Sequence, residues 1–164
     1  MLKIFIFLSI FILNVFAQTI TFKEEKFLNA LQTSVYKDGK IDFKKDYIEV
    51  SYKNLSTSYI FFDDHFISKD NQTEQRLNYE DRVELNLFYK LINFIYKDKK
   101  DGIEEFFKLQ EIENKIVLIP NEYLSNSISK IEFKKVSNKL EFLKIYFKNE
   151  DYIHNLGVAQ GQLA

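Results

Sequence analysis

The chain has 164 residues, 23 Lys and Arg against 24 Asp and Glu, a formal net charge of −1, no Cys or Trp, and 17 Phe with 10 Tyr. That length holds one domain with a proper core rather than two. Without cysteine there are no disulfides, thiolate metal sites or cysteine nucleophiles, and charges of interspersed sign give no basic stripe for nucleic acid.

The first segment, MLKIFIFLSIFILNVFA, joins a basic Lys3 to an apolar run from Ile4 to Phe16, with short residues at Val15 and Ala17. This predicts a signal peptide cleaved after Ala17, with 18–164 as the single mature domain. As a helix, about 13 apolar residues span roughly 20 Å, short of the roughly 30 Å hydrocarbon core. Gln18 follows the cut, where a bacterial lipoprotein needs cysteine, so the expectation is a protein without its own lipid anchor. Abundant Lys, Asn, Ile and Phe fits an AT-rich bacterial genome, and the periplasm is the expected destination.

The stretch 21–37 reads as a strand, with a helix left open as an alternative. From Gly39 the pattern is β: Ile41 and Phe43 alternate with Asp42 and Lys44, then Ile48, Val50 and Tyr52 alternate with Glu49, Ser51 and Lys53. Tyr59 to Phe62 forms an aromatic strand, followed by Asp63, Asp64 and His65, then Phe66 and Ile67. The two aspartates read as hairpin formers, since Asp tolerates the positive φ that tight hairpins require. Near Asp81, a plausible N-cap, the period changes: Val83, Leu87, Leu91, Phe94 and Ile95 fall at helical spacing. Leu85, Phe88 and Ile92 widen the stripe, which predicts a helix covered on a second side or facing an apolar cavity there. A short segment from Ile103 to Leu109 puts Ile103, Phe106 and Phe107 on one face, as a second helix. Strands then return over 115–119, 129–135 and 140–148.

Strands, an inserted helical stretch and more strands predict an α+β fold, with helices across one side of a curved antiparallel sheet. The groups that could do chemistry are Asp63, Asp64, His65, the remote His154, and Glu104 with Glu105. Neighbours on a strand point to opposite faces, so Asp63 and Asp64 are poorly placed to share one ion. There is no HExxH, nucleophile elbow or phosphate loop. The expectation is no enzyme, no catalytic residue, no metal and no cofactor.

FKEEKFLNAL leading to DGKIDF, then DYIEVSYKN, YIFFDDHFI, KLINFIYKDKKDGIEEFF, IVLIPNE and ISKIEFKKVSNKLEFLKIYFKNEDY, in that order and spacing, resemble the periplasmic outer-membrane lipoprotein carriers, the LolA-like family, and especially its shorter relatives. The resemblance covers nearly all of the mature chain. It implies a half-open antiparallel β-barrel with one to three helices as a lid over an apolar cavity. It also implies acyl chains of lipoproteins as cargo between inner and outer membrane, a release complex at the first, an acceptor at the second, and a monomeric carrier. The chain departs from the family at an early-strand arginine, where Lys44 and Lys45 are the nearest basic residues, and at Asp46 and Leu55, where proline is common. A periplasmic lipid or glycolipid binding module that does not serve lipoproteins is the alternative. The residues expected to line the cavity are Phe43, Ile48, Val50, Tyr52, Phe61, Ile131, Phe133, Phe142 and Ile145 on strands, and Leu85, Phe88 and Ile92 on the helix. A one-residue error of register would exchange the faces.

Overall fold

The structure is a computed structural model that describes residues 18–137 and 139–157. The expected signal peptide, 1–17, lies outside the described residues. The chain begins with β1 (Gln18–Leu28), a 3-10 turn at Asn29–Leu31, and β2 (Thr33–Phe43). The ambiguous stretch is therefore two strands of a long hairpin, with Gln32 at φ 48 turning the chain. Next come β3 (Ile48–Tyr52), β4 (Ser58–Phe61), β5 (His65–Lys69) and β6 (Glu74–Asn78). A 3-10 turn at Tyr79–Asp81 leads into α1 (Val83–Lys97), whose cap position is Arg82 with no side-chain cap bond, so Asp81 belongs to the preceding turn instead. The chain closes with β7 (Phe107–Ile112), β8 (Lys115–Pro120), β9 (Ile128–Val136), β10 (Lys139–Phe147) and β11 (Tyr152–Gly157).

These strands form one antiparallel sheet in the order β6-β5-β4-β3-β2-β1-β11-β10-β9-β8-β7. It is open, with β6 and β7 as its two edges, and α1 is the connection between them. The chain thus leaves one edge, crosses the concave face as helix, and joins the other edge. This is the open curved sheet with a helix expected from the alternating pattern.

Three expectations change. The second helix is absent among the described residues: 101–106 is turn, and Phe107 already begins β7. The deciding feature is the two-residue turn Glu113-Asn114, with φ 49 and 62, which folds β7 onto β8 as a tight hairpin. Ile103 and Phe107 keep their apolar role, at 1% and 3% exposure. The Asp63-Asp64 tip needs no left-handed backbone, since neither residue has positive φ; the turn is closed by the Phe62 N–H donating to the His65 carbonyl at 2.9 Å. Finally, β11 is a strand that its weakly alternating YIHNLG did not announce. It pairs with β1 on one side and β10 on the other, and so joins the two halves of the sheet.

The core is double. Leu91, Phe94 and Ile95 of α1 pack with Ile103, Phe107, Leu118, Ile128, Ile131, Phe133 and Leu143. Ile92, with the partly buried Leu85, Phe88 and Tyr89, packs with Ile20, Phe22, Ile41, Phe43, Ile48, Val50, Phe61 and Phe66. The wide apolar stripe exists because α1 serves two halves of one curved sheet at once.

Candidate functional site

Alternation along the strands decides what faces the helix. On β3, Ile48, Val50 and Tyr52 stand opposite Phe43, Ile41 and Gly39 of β2, while Phe61 of β4 stands opposite Ile48. Phe43, Ile48, Val50, Phe61, Ile131 and Phe133 are at most 5% exposed, and all lie in the cores around α1. Tyr52 and Ile145 pack partly buried at their margins. On the helix, Ile92 is 4% exposed and Leu85 and Phe88 are half-buried. These residues converge on one concave surface.

Phe142 does not join them. A bulge between Leu140 and Phe142 inserts Glu141, so Leu140, Leu143, Ile145 and Phe147 face the helix and Phe142 turns to the other side. There its ring meets His154 edge-on, 6.4 Å between centroids. Phe22, Phe66, Leu143, Glu24 and Asn155 belong to the concave face and were missing from the expected lining. The alternation of Ile20 and Phe22 in ITFKEE was a usable signal; nothing local marked Asn155, because β11 itself was unread.

Between α1 and the sheet a small cavity of about 30 Å³ remains, lined among others by Phe22, Glu24, Tyr52, Phe88, Ile92, Leu143 and Asn155. That is room for about one water, against roughly 300–1,000 Å³ for pockets that take small molecules. The helix itself fills the concavity. A larger open groove of about 470 Å³ crosses β1 to β3 at Gly39. Most of its lining, including Lys23, Asp38, Lys40 and Lys53, belongs by alternation to the face turned away from α1.

One end of the cavity is polar. Asn155 of β11, Glu24 of β1 and Lys37 of β2 are direct cross-strand neighbours in one row on the helix side. Glu24 is half-buried, and that burial raises its pKa above the usual 4.5 despite the opposing charges of Lys37 and Lys26 and a hydrogen bond with Tyr52. Burial, then the Glu24 charge, pushes the Tyr52 phenol well up. Lys37 sits over the Tyr52 ring, 5.4 Å from its centroid. The buried Oδ1 of Asn155 has no hydrogen-bond partner among the described residues.

The Asp-Asp-His stretch is tied to the helix and to its own turn. Tyr89 of α1 donates to Asp63 at 2.6 Å, and burial followed by that bond pushes its pKa up to about 12. Tyr79 donates to the Phe62 carbonyl at 2.7 Å. Asp64 meets His65 Nδ1 at 2.6 Å, and the imidazole stacks on Phe62 with centroids 4.6 Å apart. Asp63 and Asp64 thus serve different partners. His154 lies across the sheet from α1, and no group of three or more metal-ligating side chains occurs among the described residues. Lys44 and Lys45 lie in the turn between β2 and β3. Among the described residues no helix is long and apolar enough to cross a membrane.

No protein-family model matches the chain, and no curated protein matches it. Among solved structures the chain is similar to an outer membrane lipoprotein-sorting protein domain from Vibrio parahaemolyticus, at 9% identity, covering 89% of this chain and 85% of that one, with a TM-score of 0.48. It is similar also to a DUF1329 family protein from Desulfovibrio piger, at 9% identity, covering 91% and 88%, with a TM-score of 0.42. Both likenesses lie in the course of the chain and assign no role to any side chain.

Proposed function

We propose that this protein is a non-enzymatic periplasmic carrier that holds the acyl chains of lipoproteins on its concave face and moves them from inner to outer membrane. The observation that carries the reading is α1: a helix apolar on two sides, seated in an open curved sheet, with a cavity of about 30 Å³ between them among the described residues. Such a helix can exchange with an acyl chain, because both cover the same apolar surface. Each buried methylene is worth about 0.8 kcal/mol, so a chain of about 14 would gain roughly 11 kcal/mol in an empty, preformed cavity. A carrier with that affinity would not release its cargo. Displacing α1 first exposes the helix's own apolar face, which offsets much of the gain and leaves binding reversible. The bond from Tyr89 to Asp63 is a latch on that exchange. Asp63 thereby has a part in a binding cycle without any catalytic duty. In this reading the carrier works as a monomer between a release complex at the inner membrane and an acceptor at the outer one.

The test is gentle purification of the mature protein from its own periplasm, with mass spectrometry of what co-purifies, beside depletion of the protein in cells. Triacylated peptides or intact lipoproteins in the bound fraction, and lipoproteins retained at the inner membrane on depletion, are the expected results. A bound free lipid or glycolipid with lipoproteins correctly sorted would replace the carrier by a lipid-binding module.

A further inference from the structure

Among the mostly apolar positions that face α1, the row of half-buried Asn155 and Glu24 with the exposed Lys37 is polar. Its positions face α1 in the same register as residues that are aliphatic or aromatic elsewhere on the sheet. The row lies at the margin of the core, since the next position on that face toward the hairpin tip of β2, Val35, is 45% exposed and stands opposite the exposed Lys26. A ligand chain lying under α1 would therefore bring its polar end to this row. The Tyr52 phenol is close enough to Glu24 for each to shift the other's protonation. The buried Asn155 Oδ1 has no hydrogen-bond partner among the described residues, and an acceptor left so costs free energy that a donor would recover.

We propose that Asn155 and Glu24 form a head-group subsite that selects acyl chains ending in a neutral hydrogen-bond donor, an amide N–H or a hydroxyl, over chains ending in a carboxylate. The inference rests on the acyl-carrier reading and adds the class of polar end that the carrier accepts. An amide N–H satisfies Asn155 Oδ1 directly. An ester offers it nothing, and a carboxylate sets a second acceptor beside Glu24. Lys37 and Lys26 work against the last point, since both are exposed ammonium groups near the same end. Lys37 is partly engaged with the Tyr52 ring, and the ammonium groups supply charge without the buried donor that Asn155 lacks.

The test is displacement of a bound environment-sensitive dye, N-phenyl-1-naphthylamine, by dodecanamide, methyl dodecanoate and dodecanoate at pH 7, using the mature protein and its Asn155→Leu and Glu24→Gln variants. The expected order is the amide tightest, about tenfold over the ester, which is the effect of satisfying one buried acceptor. Asn155→Leu should erase that preference with an unchanged far-ultraviolet circular dichroism spectrum, so that loss of fold and loss of selectivity are told apart. Glu24→Gln should improve dodecanoate relative to the other two. Equal binding of amide and ester, tightest binding of dodecanoate, or an unchanged preference in Asn155→Leu would each overturn the subsite while leaving the carrier reading in place. Failure of all three compounds to displace the dye would overturn both.

Discussion

The two halves of the concave face hold the same helix differently. Toward β7 to β10, α1 presents Leu91, Phe94 and Ile95 at 2, 5 and 1% exposure, against Leu118 at 0% and Ile131 and Phe133 at 1%. Toward β1 to β5 only Ile92 is comparably buried, at 4%, and the rest of that contact is half-buried: Leu85, Phe88, Tyr89 and Tyr96. Much of this second side is ring against ring, with Phe61 facing Phe88 at 5.8 Å and Tyr89 at 5.9 Å between centroids. Close-packed, fully buried contacts lose heavily on any separation, whereas half-exposed rings lose less. In the proposed exchange, the lower-cost opening therefore keeps α1 on the β7 to β10 side and parts it from β1 to β5.

The largest effect should come from breaking the tighter side. Phe133→Ala should cost about 3–5 kcal/mol in urea unfolding, the range for a truncated buried ring, whereas Phe88→Ala should cost about 1–2 kcal/mol. Equal losses would remove the asymmetry. Gly39→Ala comes next: its Cβ would collide with Phe22 Cζ and stand 2.9 Å from the Ser51 carbonyl oxygen, so overpacking at the β1 to β3 side should cost about 1–3 kcal/mol. A wild-type unfolding midpoint would mean that the Phe22 ring moves aside freely. Tyr89→Phe removes the Asp63 bond, worth about 0.5–1 kcal/mol at this partly exposed position. It should also speed acyl uptake in stopped-flow dye displacement. Lys135→Met, which breaks the Asp98 pair at 2.8 Å on the other side, should change stability by at most about 1 kcal/mol and leave uptake unaltered. Uptake accelerated equally by both variants would place the hinge elsewhere.

The smallest expected effect is a pH slope. Burial raises the Glu24 pKa in the fold, with Lys37, Lys26 and the Tyr52 hydroxyl opposing. The folded chain therefore holds this proton more firmly than the unfolded chain does. The contribution to stability is complete below about pH 4.5, the ordinary value, and is lost as pH rises through the raised one. Glu24→Gln should remove that decline, flattening stability just above pH 4.5. An unchanged slope in thermal melts across that range would mean that Glu24 is not the titrating group.

Much of the concave face was legible because strands with one buried side must alternate. Ile48, Val50 and Tyr52 could be assigned from period alone, as could Ile131 with Phe133. The helix stripe at Leu85, Phe88 and Ile92 was legible for a similar reason, since its width exceeded what one covered side requires. Phe142 and Ile145 stand three residues apart, so alternation alone sets them on opposite faces, while the bulge at Glu141 keeps Leu140 on the helix side with Leu143. The hairpin at Glu113-Asn114 was overlooked because neither residue is glycine, although both take positive φ.

By itself, then, the sequence determined the alternating strands, the inserted helix and the absence of thiol chemistry, all properties of residues and their near neighbours. Tertiary structure alone decided that β11 joins the two halves, that Asp63 latches Tyr89, and that Asn155 stands beside Glu24. Those relations join residues as much as 135 positions apart, as between Phe22 and Gly157. Pairings at such separations depend on how a whole sheet curls around its helix, and local spacing carries no trace of them.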